Sequence, residues 1–236
     1  MVWSVYRKTE LERKRIMEQE LIHLLSEEAE KLGIALGLRE QCQFSLFYDE
    51  FQKWNAKMNL SSLDPGPDFV IKHFIDSLLA LPLIPQSSQS LIDLGTGGGF
   101  PGMPLKIARD NLSVTLLDSS RKKTSFLRQA VLLLGLSDTR VINGRVEELI
   151  REGTGREAYD VVISRATFKL AQILDLGIHF LRRDGIIIAM KGRDWKDEME
   201  EAEKLSIQRH LRLVDQRVMA LPRYGDMRTL LIYKKD

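Results

Sequence analysis

The sequence predicts an α/β fold: a mostly parallel sheet with helices on both faces, preceded by an N-terminal helical region. Three observations predict it. The apolar run Leu91-Ile92-Asp93-Leu94 passes straight into the glycine-rich turn Gly95-Thr96-Gly97-Gly98-Gly99 and reaches Pro104, a residue suited to the first turn of a helix. From residue 90 onward, short β-type runs alternate with amphipathic stretches. Before residue 85 there are amphipathic stretches and no strand-like run. This divides the chain into a helical cap, 1–85, and a sheet domain, 86–236.

In the helical part, residues 9–33 carry Leu11, Ile16, Met17, Leu21, Leu24 and Leu25 largely on one face, with Gly33 and Gly37 ending the pattern. A second helix is expected over 41–56, where Phe44, Phe47, Phe51 and Trp54 recur at helical spacing, a stripe that reads as core. Asn59-Leu60-Ser61-Ser62 reads as a turn or cap, and Asp64-Pro65-Gly66-Pro67-Asp68 as a break. A third helix over 69–81 stops at Pro82.

In the sheet part, strands are expected over 90–94, 114–117, 140–142, 160–164 and 185–190. Helices alternate with them over 104–109, 122–134, 146–151, 170–181 and 195–208. Two further strands, 211–219 and 229–234, read as a hairpin-like pair, and Gly153-Thr154-Gly155 as a surface turn.

The composition is that of a soluble globular protein: 236 residues, 44% hydrophobic and 29% charged. A net charge of +2 does not by itself point to nucleic acid. Cys42 is the sole cysteine, which excludes an intramolecular disulfide and a cysteine metal cluster; a buried thiol is expected. With four histidines in the chain, no metal site is expected. Residues 1–15 mix both charge signs without an apolar signal core, and no run is long enough for a membrane span, so a cytoplasmic protein is expected.

The glycine turn is the centre of the chemistry. A pyrophosphate site wants glycines that open directly onto a helix N-terminus. Here Phe100 and Pro101 intervene, and they offer apolar surface without donors. That suits a cofactor without phosphate, such as S-adenosylmethionine. Gly95, Gly97 and Gly99 would bring backbone close to it. Asp118 closes the second strand, where a carboxylate can accept hydrogen bonds from both ribose hydroxyls, with Ser119 beside it; it can also cap the next helix. Asp93, inside a buried strand, needs a partner, either amides of the turn or a cationic ligand. Val146 and Glu147 follow the third strand, where a backbone amide and an apolar side chain can read an adenine; Glu147 also suits a helix N-terminus. Arg165, at the end of the fourth strand, can hold a phosphate or a base edge, or form a surface ion pair. His73 and Asp76 either lean over the cofactor or orient their own helix. If Lys191, Arg193, Arg223 and Arg228 border the same crevice, they would bind a phosphate backbone.

Trp54-Asn55-Ala56-Lys57-Met58-Asn59-Leu60-Ser61, His73-Phe74-Ile75-Asp76-Ser77-Leu78, the run Asp93 to Pro104, Leu116-Leu117-Asp118-Ser119 and Ile163-Ser164-Arg165-Ala166 resemble, in order, the bacterial small-subunit ribosomal RNA guanine-N7 methyltransferases, the glucose-inhibited division protein B family. The resemblance spans about residues 44–235; Leu60-Ser61 stands where many relatives have Leu-Thr. It implies a class I (Rossmann-like) S-adenosylmethionine-dependent methyltransferase that forms 7-methylguanosine in 16S rRNA. It places the cofactor at Gly95, Phe100, Asp118, Val146, Glu147 and Arg165, and Arg165 is expected to position the guanine or its phosphate. Free 16S rRNA or the small ribosomal subunit is then the partner, and a monomer is expected. A methyltransferase acting on a protein or small molecule, and a cofactor-sensing RNA-binding module without turnover, are the alternatives. A nicotinamide dehydrogenase is disfavoured by Phe100.

Overall fold

The computed structural model describes residues 19–235, the side chain of Asp194 excepted. The expectation of a helix over 9–33 is met from residue 19, with α1 at 19–31; its first part lies outside the described residues. Helix α2 (Leu38–Met58) ends where Asn59 turns left-handed and its N–H bonds back to Asn55 O. Helix α3 runs over 67–78, and its middle, Val70–Ile75, is π-wound. It starts two residues earlier than expected because Pro67 occupies the first turn, where its missing N–H is no loss. It stops earlier too, and Pro82 lies in a separate 3-10 turn, Leu81–Leu83.

From here strand and helix alternate as expected: β1 (Ser90–Leu94), α4 (Gly102–Ala108), β2 (Ser113–Asp118), α5 (Arg121–Leu134), β3 (Thr139–Asn143), α6 (Val146–Glu152), β4 (Tyr159–Arg165), α7 (Leu170–Gly177), β5 (Leu181–Lys191), a 3-10 turn (Arg193–Glu198), α8 (Met199–Gln208), β6 (Leu211–Ala220) and β7 (Met227–Lys235). Helix α7 is four residues shorter than expected and β5 four residues longer at its start. Leu181 pairs with Tyr159 of β4, so the strand is already in the sheet before Gly185. Ser120 caps α5 at the front, accepting from Lys123 N, and left-handed Gly135 closes it.

The sheet has seven strands in the order β3-β2-β1-β4-β5-β7-β6. β1 to β5 pair in parallel, and β7 runs antiparallel between β5 and β6. The chain direction therefore reverses sides between β1 and β4, and the carboxyl ends of these two strands open a crevice.

The N-terminal helices and one face of the sheet share a core. Phe44, Phe47, Phe51, Phe69, Phe74, Phe100 and Phe126 form a connected aromatic cluster, with Phe47 5.6 Å from Phe100 and 6.2 Å from Phe126. Each fully buried ring contributes roughly 1.5–3 kcal/mol. This packing fixes the glycine turn against α2: a Cβ on Gly98 would stand 2.6 Å from the Phe51 ring. The same stripe corrects the expectation for Cys42, which is exposed. Two residues before Phe44 on an α-helix is 200° away, so the face that buries the phenylalanines turns the thiol to solvent. Among the described residues, no helix is long and apolar enough to cross a membrane.

Candidate active site

Asp93 anchors the turn that follows β1. Its Oδ2 accepts from Thr96 Oγ1 at 2.6 Å and from Gly102 N at 2.9 Å, while Oδ1 is buried with no hydrogen-bond partner among the described residues. Burial raises its pKa to about 6 against the lowering effect of those two bonds and of Arg165. Gly95 has φ +71, and a Cβ there would stand 2.5 Å from Thr167 Cγ2, so both conformation and space require glycine. Asp118 holds the turn from the other side: Oδ2 accepts from Gly97 N at 2.9 Å and Oδ1 from Ser120 N at 2.8 Å. Its carboxylate thus supports the loop, while the capping of α5 falls to Ser120.

The opposite wall comes from α3, β4 and β7. The Asp76 carboxylate, 3% exposed, bridges two arginines: Oδ2 accepts from Arg165 Nη1 and Oδ1 from Arg228 Nε, each at 3.0 Å. Arg165 Nη1 also donates to Lys72 O, and Nη2 lies 3.2 Å from His73 Nδ1. The guanidinium can only donate, so Nδ1 accepts and the His73 proton sits on Nε2, 2.9 Å from Ser61 Oγ. Burial first, and Arg165 second, push His73 down to about 3, so the ring is neutral. It lies flat on Phe100, with centroids 4.4 Å apart and planes 4° apart.

These walls enclose a cavity of about 470 Å³. Of the residues predicted from sequence, His73, Asp76, Gly95, Gly97, Phe100, Arg165, Lys191 and Arg228 line it. Asp93 and Gly99 are not in the lining, and Asp118, Ser119, Val146 and Glu147 lie outside it too, along the ends of β2 and β3. Asn143 Nδ2 donates to Ser119 O there, and Val146 is buried at the start of α6 while Glu147 stays exposed. The expectation that four cations border one crevice holds for two. Arg193 and Arg223 stand outside, on the segment after β5 and on the β6–β7 turn; Arg193 reaches Asp226 of that turn at 3.9 Å. Lys191 does reach the cavity, but its ammonium is bound to Glu198 Oε2 at 2.7 Å and Phe168 O at 3.0 Å. Ser61, which the sequence reads as part of a turn or cap, and Lys72, beside His73 on the third helix, also line the cavity, as do Thr96 and Thr167, to which the sequence assigns no role. A hydroxyl after a helix and a threonine after Arg165 carry no pattern that separates them from ordinary caps.

A bare-backbone wall, a carboxylate at the end of β2 and an apolar Val146 at the end of β3 fit an adenosyl ligand. The buried, unpartnered Asp93 Oδ1 keeps an acceptor in reserve beside the turn.

A model of the family described as rRNA small subunit methyltransferase G (GidB) matches residues 40–221. The chain belongs to this family. Relatives in the methyltransferase G family include the ribosomal RNA small subunit methyltransferase G of Syntrophus aciditrophicus, 42% identical over 90% of this chain and 89% of that one. The protein of the same name from Thermoanaerobacter sp. is 34% identical over 93% and 92%. Two solved methyltransferases share the fold. An O-methyltransferase from Bacillus cereus in complex with SAH has TM-score 0.58 at 16% identity, covering 80% of this chain and 90% of its own. A SAM-dependent methyltransferase from Aquifex aeolicus has TM-score 0.54 at 15% identity, covering 80% and 98%. The matched region contains the glycine turn, α3 and Arg165.

Proposed function

We propose that this crevice directs the methyl group of S-adenosylmethionine to N7 of a guanine in 16S rRNA, giving 7-methylguanosine and S-adenosylhomocysteine. One observation carries this reading: the acidic and basic groups in the cavity wall are committed to one another. His73 is neutral with both nitrogens hydrogen-bonded, and Asp76 has an arginine on each oxygen. Guanine N7 bears a lone pair in the neutral base, so an attack from it needs no proton removed first. A wall that positions and neutralises, with no uncommitted base among the described residues that line it, suffices for such a reaction.

S-adenosylmethionine, when bound, supplies an electrophilic methyl group. Gly95, Gly97 and Gly99 with Phe100 shape its berth; Asp93 and Asp118 stiffen that turn, and Asp118 and Ser119 face the ribose side. Val146 and Glu147 flank the adenine side. Arg165 is the catalytic residue that holds guanine or its phosphate at the junction of the two halves. Its fixed geometry supports this, since four contacts from Lys72, His73, Asp76 and the Phe100 ring (5.3 Å from Cζ) leave it little freedom. Arg193, Arg223 and Arg228 contact RNA phosphates, with Lys191 as a tethered support. Asp76, Arg165 and Arg228 build this wall from one chain, and the protein is read as a monomer; a ribosomal RNA substrate is in keeping with a cytoplasmic enzyme. Free 16S rRNA and the small-subunit particle are both candidate substrates.

The test is methyl transfer from labelled S-adenosylmethionine to 16S rRNA, free and in small-subunit particles, from cells lacking the enzyme. Label recovered as 7-methylguanosine at one nucleotide supports the reading and chooses the substrate form. Unlabelled RNA in both forms removes it.

A further inference from the structure

Three hydroxyl side chains line the cavity: Ser61, Thr96 and Thr167. Two of them spend their proton inside the protein. Thr96 Oγ1 donates to Asp93 Oδ2 at 2.6 Å, and Thr167 Oγ1 donates to Gly95 O at 2.9 Å. Ser61 is different. Arg165 donates to His73 Nδ1, so His73 Nε2 must donate to Ser61 Oγ, and Leu63 N donates to the same oxygen at 3.1 Å. Both Ser61 lone pairs are thereby filled. Its hydroxyl proton has no acceptor among the described residues and is left for whatever enters the cavity.

The backbone fixes that donor in place. Ser61 N donates to Asn55 Oδ1 at 2.8 Å, which pins the segment after α2 to the end of that helix. His73 is in turn clamped between Arg165 and Phe100, so the hydroxyl cannot reverse its role without reversing the imidazole tautomer against a guanidinium.

We propose that the Ser61 hydroxyl donates to the six-position oxygen of the target purine and so selects guanine over adenine. This rests on the reading of the site as a guanine-N7 methyltransferase. Both purines offer N7 on the same edge; beside it guanine carries an acceptor, O6, and adenine a donor, the N6 amino group. A hydroxyl with filled lone pairs and a free proton matches the first and opposes the second. Discrimination by such a donor falls on the analogue that leaves it unpaired. Threonine keeps the same hydroxyl and is compatible with the role.

The experiment compares two RNA substrates, one with guanine and one with 2-aminopurine at the nucleotide that the wild-type enzyme methylates. 2-Aminopurine keeps N7 and the two-position amino group and lacks O6. The readout is kcat/KM for each RNA with the wild-type enzyme, Ser61→Ala and Ser61→Thr, with S-adenosylmethionine binding measured on all three as the check on folding. Ser61→Ala is expected to lose roughly tenfold on guanine and to shrink the guanine to 2-aminopurine ratio by the same factor. Ser61→Thr is expected to keep the wild-type ratio. A Ser61→Ala enzyme that binds the cofactor and keeps the wild-type ratio overturns the proposal while leaving the methyltransferase reading intact. A wild-type enzyme that forms no 7-methylguanosine on the guanine RNA overturns both.

Discussion

Arg228 Nε and the Asp76 Oδ1 it donates to are 152 positions apart in sequence and 3.0 Å apart in space. With Arg165 on the other oxygen, Asp76 is the joint at which α3, β4 and β7 meet. Removing one partner of a buried ion pair costs about 3–5 kcal/mol, because it leaves uncompensated charge. Asp76→Ala leaves two arginines facing each other, so its melting temperature should fall by roughly 6–20 °C. Arg165→Ala keeps the Asp76–Arg228 pair and should melt higher than Asp76→Ala, yet lose most methyl transfer. Arg165→Ala with wild-type turnover would remove Arg165 from the catalytic assignment.

His73 gives a pH signature. Its folded pKa is about 3, against 6.5 for the free side chain. Between those values the unfolded chain binds a proton that the folded chain does not, so this residue's contribution to stability falls as pH drops from 6.5 toward 3. Asp93 acts in the opposite direction between 3.8 and about 6, since the folded chain takes up its proton first. His73→Gln isolates the histidine. Unfolding free energies of wild type and variant should differ by a constant above pH 7.5, and the wild type should lose ground steadily below 6.5. A difference independent of pH would contradict a neutral, buried His73.

Gly102 is a packing constraint and not a conformational one. A Cβ there would stand 2.4 Å from Leu116 Cδ2 and 3.0 Å from Asp93 Oδ2. Gly102→Ala should cost about 1–3 kcal/mol by denaturant unfolding and weaken S-adenosylmethionine binding, since it pushes on the carboxylate that holds the turn. Gly192→Ala has open space around its Cβ and should leave stability within about 0.5 kcal/mol of wild type.

The cations in and near the crevice should separate by assay. Arg193→Ala and Arg223→Ala should each weaken RNA binding and reduce the salt slope of its affinity by about 0.7–0.9. Lys191→Met should instead lower stability, because Glu198 Oε2, which also accepts from Leu170 N, loses its ammonium. An unchanged melting temperature for Lys191→Met would return that lysine to the RNA-binding set.

The parts of the fold legible in sequence are those written in local pattern. The run from Leu91 to Pro104 announces strand, turn and helix because burial, glycine geometry and proline placement act within a few residues. The aromatic stripe of α2 announces a core face at helical spacing. What stays hidden depends on partners distant in sequence. The period of β7 says that it is a strand but not that it inserts between β5 and β6. Lys191 reads as a cation at a strand end until Glu198 is seen beside it. Asp118 reads as a ribose acceptor, and the amide of Gly97 that it holds is visible only when the turn is folded. Cys42 shows the limit of residue-type averages: cysteine is commonly buried, but the helix face that contains it was already decided by Phe44 and its neighbours.

The placement of β7 bears on how the protein is made. Residues 227–235 are the last strand of the described chain, yet they lie inside the sheet and carry the second arginine of Asp76. While the chain is still being translated, β5 has a neighbour on one side only, and Asp76 can meet Arg165 but not Arg228. The nascent protein therefore holds an open β5 edge and an incomplete crevice wall until β7 has left the ribosome. Insertion of that segment closes the edge, neutralises the joint and finishes the substrate wall in a single event, so a chain truncated before Met227 should be both aggregation-prone and inactive.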